Sequence, residues 1–342
     1  MAVRSAQFFW LLAFALLAQA PGWAADRERP GQALRSAGAA DRDWIANLVP
    51  SQACAGDQVY TDTGNINLDL SCNINETNRD SQSGRGVSAV SEVNSGDSGT
   101  VDVKFTGSVT GDRDRGEGVF AASWSAGGNS DAVKLDLDGD VSIEGRYSRG
   151  IQASSLSNGS NADGSSGDVT VSFDGALNVG TLSTDGGAYD AWDAVGLLVE
   201  SQSESGGDSG DIYVDINGAI NVDAEYAQGL RAYSYAQGSY ETDSEGYISG
   251  YKGDAGNITV NMNGPITVSG GYFSTGLWLG SGEKRPDYDR PSRYGKSGDI
   301  DLTFVGDLKM LSDFDPAENA SEWRGSIRGF NGILALSGAN EQ

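Results

Sequence analysis

Apolar and polar positions alternate with a period of two in short segments along most of this chain, and glycines separate the segments. The stretch Ser209–Ser234 contains three of them, which begin at Ile212, Ile220 and Leu230. Alternation of this kind predicts strands with one buried face, and the glycines predict corners between them. Three strands in one unit predict one turn of a β-solenoid.

The same unit recurs from Ile66 to Ser337. Its last strand follows the pattern Gly, aliphatic, any residue, small or aliphatic, any residue, Ser. The opening strands of successive copies lie 35, 32, 36, 43, 46 and 42 residues apart. Strands that recur while their connections vary in length are typical of a repeat array. We therefore predict an all-β solenoid of about seven repeats with three strands per turn.

The serine that ends this pattern occurs in all seven copies. By the period of two it shares a face with the aliphatic residues, so we expect it to point inward and to bond to the neighbouring turn. This predicted serine ladder consists of Ser91, Ser123, Ser155, Ser201, Ser234, Ser281 and Ser337.

Residues 1–24 have the features of a secretory signal peptide. Arg4 precedes the apolar run Phe8–Leu17, and small residues at Gly22–Ala24 offer a cleavage site. A transmembrane anchor is the rival interpretation, but about ten apolar residues are too few to cross a bilayer as a helix. We therefore predict export, with no direct membrane span.

The remainder divides into a linker and the solenoid. Residues 25–53 lack alternation and form the linker, in which residues 41–48 are a candidate helix that caps the solenoid; a disordered leader is the alternative. Residues 54–342 form the solenoid region. We expect this region to be truncated at its C-terminal end, because Gln342 lies where an eighth repeat would begin.

The charge and the absence of histidine exclude several classes of function. The formal net charge is −25, which disfavours nucleic acid and anionic membranes as partners through repulsion. The chain has no histidine, so Ser-His-Asp and Cys-His catalysis and histidine metal ligands are excluded. We predict a protein that is not an enzyme; any catalysis would have to use carboxylates, Lys, Arg or Tyr.

Cys54 and Cys72 are the only cysteines and lie 18 residues apart in the first repeat. In a chain with an export signal, such a pair predicts a disulfide. The alternative, a reactive thiol pair, lacks a nearby environment that would activate it.

Two stretches imitate the nucleophile motif of chymotrypsin-like proteases, Gly96–Gly99 and Gly207–Gly210, both with the sequence GDSG. Both occur just before an opening strand. Without histidine, Ser98 and Ser209 cannot be activated in the usual way. We interpret the motif as a repeated corner of the solenoid.

Acidic residues offer candidate calcium ligands. Asp136, Asp138 and Asp140 resemble the start of a calcium loop, but Val141 stands where the EF-hand pattern requires Gly. Their alternation with leucines also fits the solvent-facing side of a strand, with no metal. At the corners before the opening strands, Asp168, Asp211 and Asp299 predict Asx-type turns, and a stacked row of such carboxylates could recruit Ca²⁺.

Aromatic and basic residues mark candidate binding positions. Exposed tyrosines are suited to stacking on sugars or on partner side chains, although they could instead cover neighbouring strands. A basic loop could bind an anionic ligand, or simply be solvated. The candidate residues are Tyr233, Tyr235, Tyr240, Tyr247 and Tyr251 among the tyrosines, and Arg285, Arg290 and Arg293 in the loop.

The repeated Gly, aliphatic, Ala, Ser strand, the SGD corner and the signal peptide together resemble the passenger domain of bacterial autotransporters, over roughly Ile66 to Ser337. The resemblance implies a right-handed parallel β-helix of the pectin-lyase-like type. It also implies display at the outer membrane, or release outside the cell, of a Gram-negative bacterium. An outer-membrane translocator barrel is the implied partner, and this sequence does not contain it.

Three functional hypotheses follow. The first is a non-enzymatic, adhesin-like passenger that binds a glycan or protein on host or bacterial cell surfaces through edge loops. The second is a β-helical polysaccharide lyase or hydrolase that uses carboxylates. The third is a purely structural stalk.

Overall fold

The part of the chain that the computed structural model describes consists of strands and their connections, and no helix occurs within it. It comprises residues 54, 58–76, 84–112, 115–145, 147–158, 164–180, 193–204, 206–224, 226–237, 240–242, 248–251, 253–270, 274–282, 296–311 and 331–337. All of these belong to one compact unit, Asp43–Gln342. The predicted signal peptide, linker and capping helix lie outside the described residues.

Twenty-four strands follow one another along the chain. They are β1 Gln58–Asp62, β2 Ile66–Ser71, β3 Ile74–Glu76, β4 Arg85–Val93, β5 Val101–Thr106, β6 Val109–Asp112, β7 Glu117–Ser125, β8 Val133–Asp138, β9 Val141–Glu144, β10 Arg149–Ser157, β11 Val169–Asp174, β12 Leu177–Val179, β13 Asp193–Ser203, β14 Ile212–Asn217, β15 Ile220–Asp223, β16 Tyr226–Ala236, β17 Tyr240–Thr242, β18 Ile248–Tyr251, β19 Ile258–Asn263, β20 Ile266–Ser269, β21 Thr275–Ser281, β22 Ile300–Val305, β23 Leu308–Leu311 and β24 Asn331–Ser337.

Three parallel sheets contain all of these strands except β17 and β18. Sheet A has the order β1-β4-β7-β10-β13-β16-β21-β24, sheet B the order β2-β5-β8-β11-β14-β19-β22, and sheet C the order β3-β6-β9-β12-β15-β20-β23. The chain passes from A to B to C in every turn. The fold is a right-handed parallel β-helix of about seven turns with three strands per turn, which confirms the fold predicted from the sequence.

The core follows directly from the two-residue alternation. In β14, the inward residues Ile212, Val214 and Ile216 are buried and the residues between them are exposed. The strand register places residues of similar type next to one another in successive turns, so that Val171 lies beside Val214 and Leu135. Each turn thus stacks its aliphatic side chains on those of the next, which gives one continuous hydrophobic core.

Glycine is required at the corner between sheets B and C. Gly139 has φ 134°, a conformation that L side chains rarely adopt, and a Cβ there would lie 1.9 Å from the carbonyl oxygen of Gly107 in the preceding turn. Gly107 makes the same close approach to Cys72. This stacking explains why a glycine recurs six residues after each opening strand begins, with Cys72 in that place only in the first turn.

The first turn also carries the disulfide. Cys54 and Cys72 are joined, with their Cα atoms 5.7 Å apart, and both pack against the core. The bridge therefore ties residue 54, which precedes β1, to the end of β2.

The connection after β16 holds a small additional sheet. Strands β17 and β18 pair antiparallel, with Tyr240 in register with Tyr251. Despite this insertion, β19 pairs in register with β14, so that Ile258 lies beside Ile212. The helix therefore accommodates extra structure between sheets A and B without disturbing its stacking.

Candidate functional site

The predicted ladder serines link successive turns at the inner corner between sheets A and B. The Oγ of Ser201 donates to the carbonyl of Gly167 in the preceding turn at 3.0 Å and accepts from the amide of Gly210 in its own turn at 2.9 Å. Ser123, Ser155, Ser234 and Ser281 each make the same two types of bond, and Ser91 accepts the amide of Gly99. Ser337 ends β24 in register with Ser281. These bonds satisfy buried backbone groups, which is a structural role.

The protease-like serines belong to the same network. Ser98 lies 2.8 Å from the Oγ of Ser123, and Ser209 lies 2.7 Å from the Oγ of Ser234. Because each ladder hydroxyl already donates its only proton to a carbonyl, Ser98 and Ser209 are the donors in these bonds. Both are buried, so neither hydroxyl is placed as a nucleophile.

A second inward serine column was not expected from the sequence. The Oγ of Ser125, Ser157 and Ser203 donates to the carbonyl of Gly96, Gly128 and Gly164 respectively, at 2.7 to 2.8 Å. Each of these serines lies two residues after a ladder serine, on the same face. The sequence signal was therefore the pair Ser-x-Ser at the end of sheet A strands.

The structure does not gather the candidate calcium ligands into a site. Asp136 and Asp138 lie on the outward face of β8, and Asp140 accepts the amide of Ala176 in the next turn at 2.8 Å. Within the described ranges, no group of three or more Cys, Asp or Glu side chains is placed to hold a metal ion.

The corner carboxylates make bonds of a different kind from those expected. Asp168 Oδ1 accepts the amide of Asp211, and Asp211 Oδ1 accepts the amide of Asn257, at 2.8 and 2.7 Å. The expected Asx turns would use the residue's own turn, whereas these bonds connect successive turns. Parallel stacking brings the next turn's amide within reach of each side chain, and this is the physical reason for the difference.

The described candidate tyrosines lie in different surroundings. Tyr233 is half-buried, whereas Tyr235 is only 3% exposed. The backbones of Tyr240 and Tyr251 pair in register on β17 and β18. Tyr247 and the loop arginines Arg285, Arg290 and Arg293 lie outside the described residues. Burial of Tyr235 makes it a covering residue for the sheet, not an exposed binding ring.

The outer face of sheet A is where chemically diverse side chains meet. Side chains two residues after each strand glycine form one outward row, which contains Gln152, Arg231 and Trp278. The next outward row consists of the side chains at the fourth position after each strand glycine. It contains Ser154, Glu200 and Tyr233. These two rows are the candidate functional site, and we call them the outer-face cluster.

Glu200 is the centre of this cluster. Its Oε1 accepts from the Oγ of Ser154 at 2.7 Å and from the Nε2 of Gln152 at 3.1 Å, and its Oε2 accepts from the Oη of Tyr233. Arg149 donates to the Oε1 of Gln152 at 2.5 Å and so extends the network by one residue. Glu200 is 7% exposed, and three donors compensate for its burial.

Arg231 lies between two aromatic rings. Its guanidinium carbon is 4.9 Å from the ring centre of Tyr233 and 4.6 Å from that of Trp278. The two rings pack edge to face with their centres 5.6 Å apart. Cation–π contacts of this kind orient the guanidinium and contribute to packing. The Nε of Arg231 and the Oε1 of Gln228 are buried and have no hydrogen-bond partner among the described residues.

The environment of Tyr233 changes its acidity. Burial raises the pKa of the Tyr233 hydroxyl well above its usual value, and the neighbouring Glu200 carboxylate raises it further; Arg231 and Arg149 act in the opposite direction. Tyr233 therefore remains a neutral hydrogen-bond donor at physiological pH. The arrangement holds the Glu200 carboxylate in place through bonds to both of its oxygens.

A row of charges borders the cluster on the N-terminal side of the strands. Glu117 lies in register between Arg85 and Arg149. Its carboxylate is 2.5 Å from the Nε of Arg85 and 3.7 Å from the Nη1 of Arg149. Arg85 also lies over the ring of Phe120, with its guanidinium carbon 4.3 Å from the ring centre. Arginine, carboxylate and aromatic groups thus form a continuous band on this face.

Most residues of the outer-face cluster were not singled out from the sequence. They come from four strands of sheet A, with Gln152 and Ser154 on the same strand, and follow no motif: Gln152, Ser154, Glu200, Arg231 and Trp278. The usable signal was positional, since all of them occupy outward positions of the strand whose inward positions repeat best. Aligning the seven strands on their glycines would have placed them together.

Within the described residues, no helix is long and apolar enough to span a membrane. Comparison of the chain with protein-family models, with curated proteins and with solved structures gave no match.

Proposed function

We propose that this chain is an exported, non-enzymatic passenger of the autotransporter type, which acts like an adhesin at the surface of a Gram-negative bacterium or outside it. It binds a glycan or a protein on host or neighbouring bacterial cells. The partly exposed members of the outer-face cluster, Arg231, Tyr233 and Trp278, form the binding surface, and the connections between sheets A and B border it.

The observation that carries this proposal is the outer-face cluster itself. In a repeat fold, inward positions must stay alike, whereas outward positions are free to vary. Here, outward positions of neighbouring strands bring together Arg231, Tyr233 and Trp278 with ring and guanidinium contacts. Trp, Tyr and Arg are the residues most enriched at binding hot spots. Both Tyr233 and Trp278 are half-buried, so part of each residue is accessible to solvent.

A binding role suits the cluster better than catalysis. Glu200, the most central carboxylate, accepts hydrogen bonds from three side chains. The chain has no histidine, and the serines of the GDSG sequences are buried donors to the ladder. A carboxylate held by three hydrogen bonds is suited to a preorganised binding surface.

Export is supported by the first 24 residues and by the disulfide. The Arg4 and Phe8–Leu17 segments have the order of a secretory signal. The disulfide between Cys54 and Cys72 is a bond that persists in oxidising compartments.

Binding of the exported chain to immobilised cell-surface glycans and to whole cells tests the proposal. We expect binding that Trp278→Ala weakens by about tenfold or more, because truncation removes the contacts of the indole ring with Arg231 and Tyr233. The matched control is Tyr213→Ala, which removes an aromatic ring that is 42% exposed on the outer face of sheet B. Equal loss in both variants would contradict the assignment of the binding surface.

The same preparation distinguishes the other hypotheses. Release of unsaturated or reducing ends from acidic polysaccharides would instead support a lyase or hydrolase. Absence of binding to every cell and glycan surface would support a structural stalk.

A further inference from the structure

The last described turn of the helix leaves apolar side chains exposed. Strands β22, β23 and β24 end sheets B, C and A, and no strand in the described part of the chain pairs with their outer edges. Each of them carries a large apolar side chain that is well exposed: Val305 at 60%, Leu311 at 48% and Ile333 at 48%. A strand edge with free backbone groups and apolar side chains is a template for pairing with another chain. We call the outer edges of these three strands the open end.

The opposite end of the same sheet is closed. The inward residues Ile66, Leu68 and Leu70 of β2 are only 7%, 1% and 8% exposed, although no described strand precedes β2 in sheet B. Their equivalents in β22 are all partly exposed, and they are Ile300, Leu302 and Phe304. The closed first turn offers no matching apolar surface to the open end of another copy. Two copies can therefore bury this surface against each other only by joining like ends.

The charges of the open end nearly cancel. Its described turn carries three carboxylates and two ammonium groups, whereas the whole chain carries −25. These groups are Asp299, Asp301, Asp307, Lys296 and Lys309. Two copies that meet at this end therefore bring little net charge into contact, in contrast to most of this acidic molecule.

We infer that the open end is an interface with a second copy of this chain, and that the two copies meet tail to tail about a two-fold axis perpendicular to the helix. Such an axis reverses strand direction, so the edge strands pair antiparallel across it. An axis that passes beside the middle of β24 and the corner between β22 and β23 places β24 against its counterpart. It also places β22 of each copy against β23 of the other.

The positions of the charges favour this axis over the two alternatives. With Leu302 opposite Leu308 of the other copy, Asp301 lies opposite Lys309 of the other copy, and the symmetry makes this pair twice. Pairing β23 with its own counterpart would bring two Lys309 side chains together, and pairing β22 with its own counterpart would leave Asp301 without a cation. Opposite charges across a strand pair stabilise it, and like charges destabilise it.

The size of the interface indicates moderate affinity. Strands β22, β23 and β24 contribute 6, 4 and 7 residues per copy. These are slightly fewer than the roughly 20–30 residues per side of a standard interface. We therefore expect a dissociation constant on the order of micromolar.

The test measures the mass of the exported chain over a range of concentrations by sedimentation equilibrium. We expect an equilibrium between monomer and dimer, with no larger species, because the two-fold contact uses the open end of both copies. Hydrogen exchange provides a second measurement. Amides of β22 and β23 should exchange more slowly as the protein concentration rises, and those of β2 should not change.

Charge reversal locates the contact without disturbing the helix. Asp301→Lys is expected to weaken the dimer about tenfold or more, because both pairs become repulsive, and adding Lys309→Asp is expected to restore it. The neighbours of these positions in the preceding turn are uncharged, since Asp301 pairs with Thr259 and Lys309 with Thr267.

The matched control is Asp215→Lys, which makes the same change at an exposed outward position of β14, in the middle of sheet B. Its neighbours in register are also uncharged, Ser172 and Asn261. We expect this variant to dimerise like the parent chain.

Four results would overturn the inference. They are a monomer at concentrations up to about 100 μM, well above the expected dissociation constant; growth beyond the dimer; equal weakening in Asp301→Lys and Asp215→Lys; and no restoration by Lys309→Asp. The proposed function does not depend on these results, because the variants leave Arg231, Tyr233 and Trp278 unchanged and cell binding is measured separately.

Discussion

Tyr233 and Glu200 lie in register on β16 and β13, and the phenolic hydroxyl donates a hydrogen bond to the Oε2 of the carboxylate. The pair joins two turns whose strands are 33 residues apart in sequence. Through Ser154 and Gln152 the same carboxylate reaches a third turn. Buried side chains on the outward face of sheet A thus reinforce contacts that the backbone ladder already makes.

The raised pKa of Tyr233 predicts a pH-dependent contribution to stability. The folded state keeps the hydroxyl protonated above the usual value of 10.0, so the stability it contributes is fully present below that pH and is lost as the pH rises toward the folded pKa. We expect Tyr233→Phe to lower the free energy of unfolding at neutral pH by about 1.5–3 kcal/mol. Urea unfolding should show this difference shrinking above pH 10; a difference that stays constant with pH would contradict the linkage.

Removal of a ladder serine should destabilise the fold. In Ser201→Ala, the carbonyl of Gly167 and the amide of Gly210 lose their hydroxyl partner inside the protein. An unsatisfied buried group costs about 1–3 kcal/mol, so we expect a loss in this range or above it in chemical denaturation. Ser172→Ala, on the exposed face of β11, should change stability by less than about 0.5 kcal/mol. Equal effects in the two variants would show that the ladder contributes nothing.

The glycines at the corner between sheets B and C should not tolerate alanine. Gly139→Ala would place a Cβ 1.9 Å from the backbone of Gly107 and would hold a positive φ. We expect it to destabilise the protein by more than about 1 kcal/mol. The control is Gly64→Ala, because a Cβ there meets nothing within 4 Å. Thermal unfolding of both variants gives the comparison, and a stable Gly139→Ala protein would be inconsistent with the stacked corners.

Loss of the disulfide should loosen the first turn. Cys54 and Cys72 close a loop with a sequence separation of 18, for which the chain-entropy relation gives roughly 3 kcal/mol. We expect the Cys54→Ser, Cys72→Ser double variant to show faster hydrogen exchange in β1 and β2, with β14 and β19 changed little because repeats interact mainly with their neighbours. Uniformly faster exchange along the helix would argue against a local role.

The sequence was sufficient for the architecture because inward positions have to repeat. The glycine that begins each sheet A strand pattern and the serine that ends it occupy crowded positions where few residues fit, as Gly196 and Ser201 illustrate. Each turn repeats the same constraint, and the repetition is readable without any structure. The strands were predicted correctly even where the connections between them vary in length, because the two-residue alternation resumes after each connection.

The outer-face cluster could not be predicted from the sequence in the same way. Glu200 meets Ser154 across 46 residues and Tyr233 across 33 residues, and these separations depend on connections whose lengths vary. Residue types at the outward positions of sheet A do not repeat from turn to turn, so no pattern in the local sequence marks them. The burial of Tyr235 could not be predicted either, because it depends on residues that are distant in the sequence.

The paired strands β17 and β18 stand between β16 and β19, yet Ser234 still bonds to the amide of Gly256 as the shorter turns do. The corner after each ladder serine therefore tolerates added chain without a change of frame in the core. Peptides grafted at this corner in successive turns would be presented side by side at the strand spacing of about 4.8 Å. The separation between two displayed segments would therefore be set by the number of turns between them.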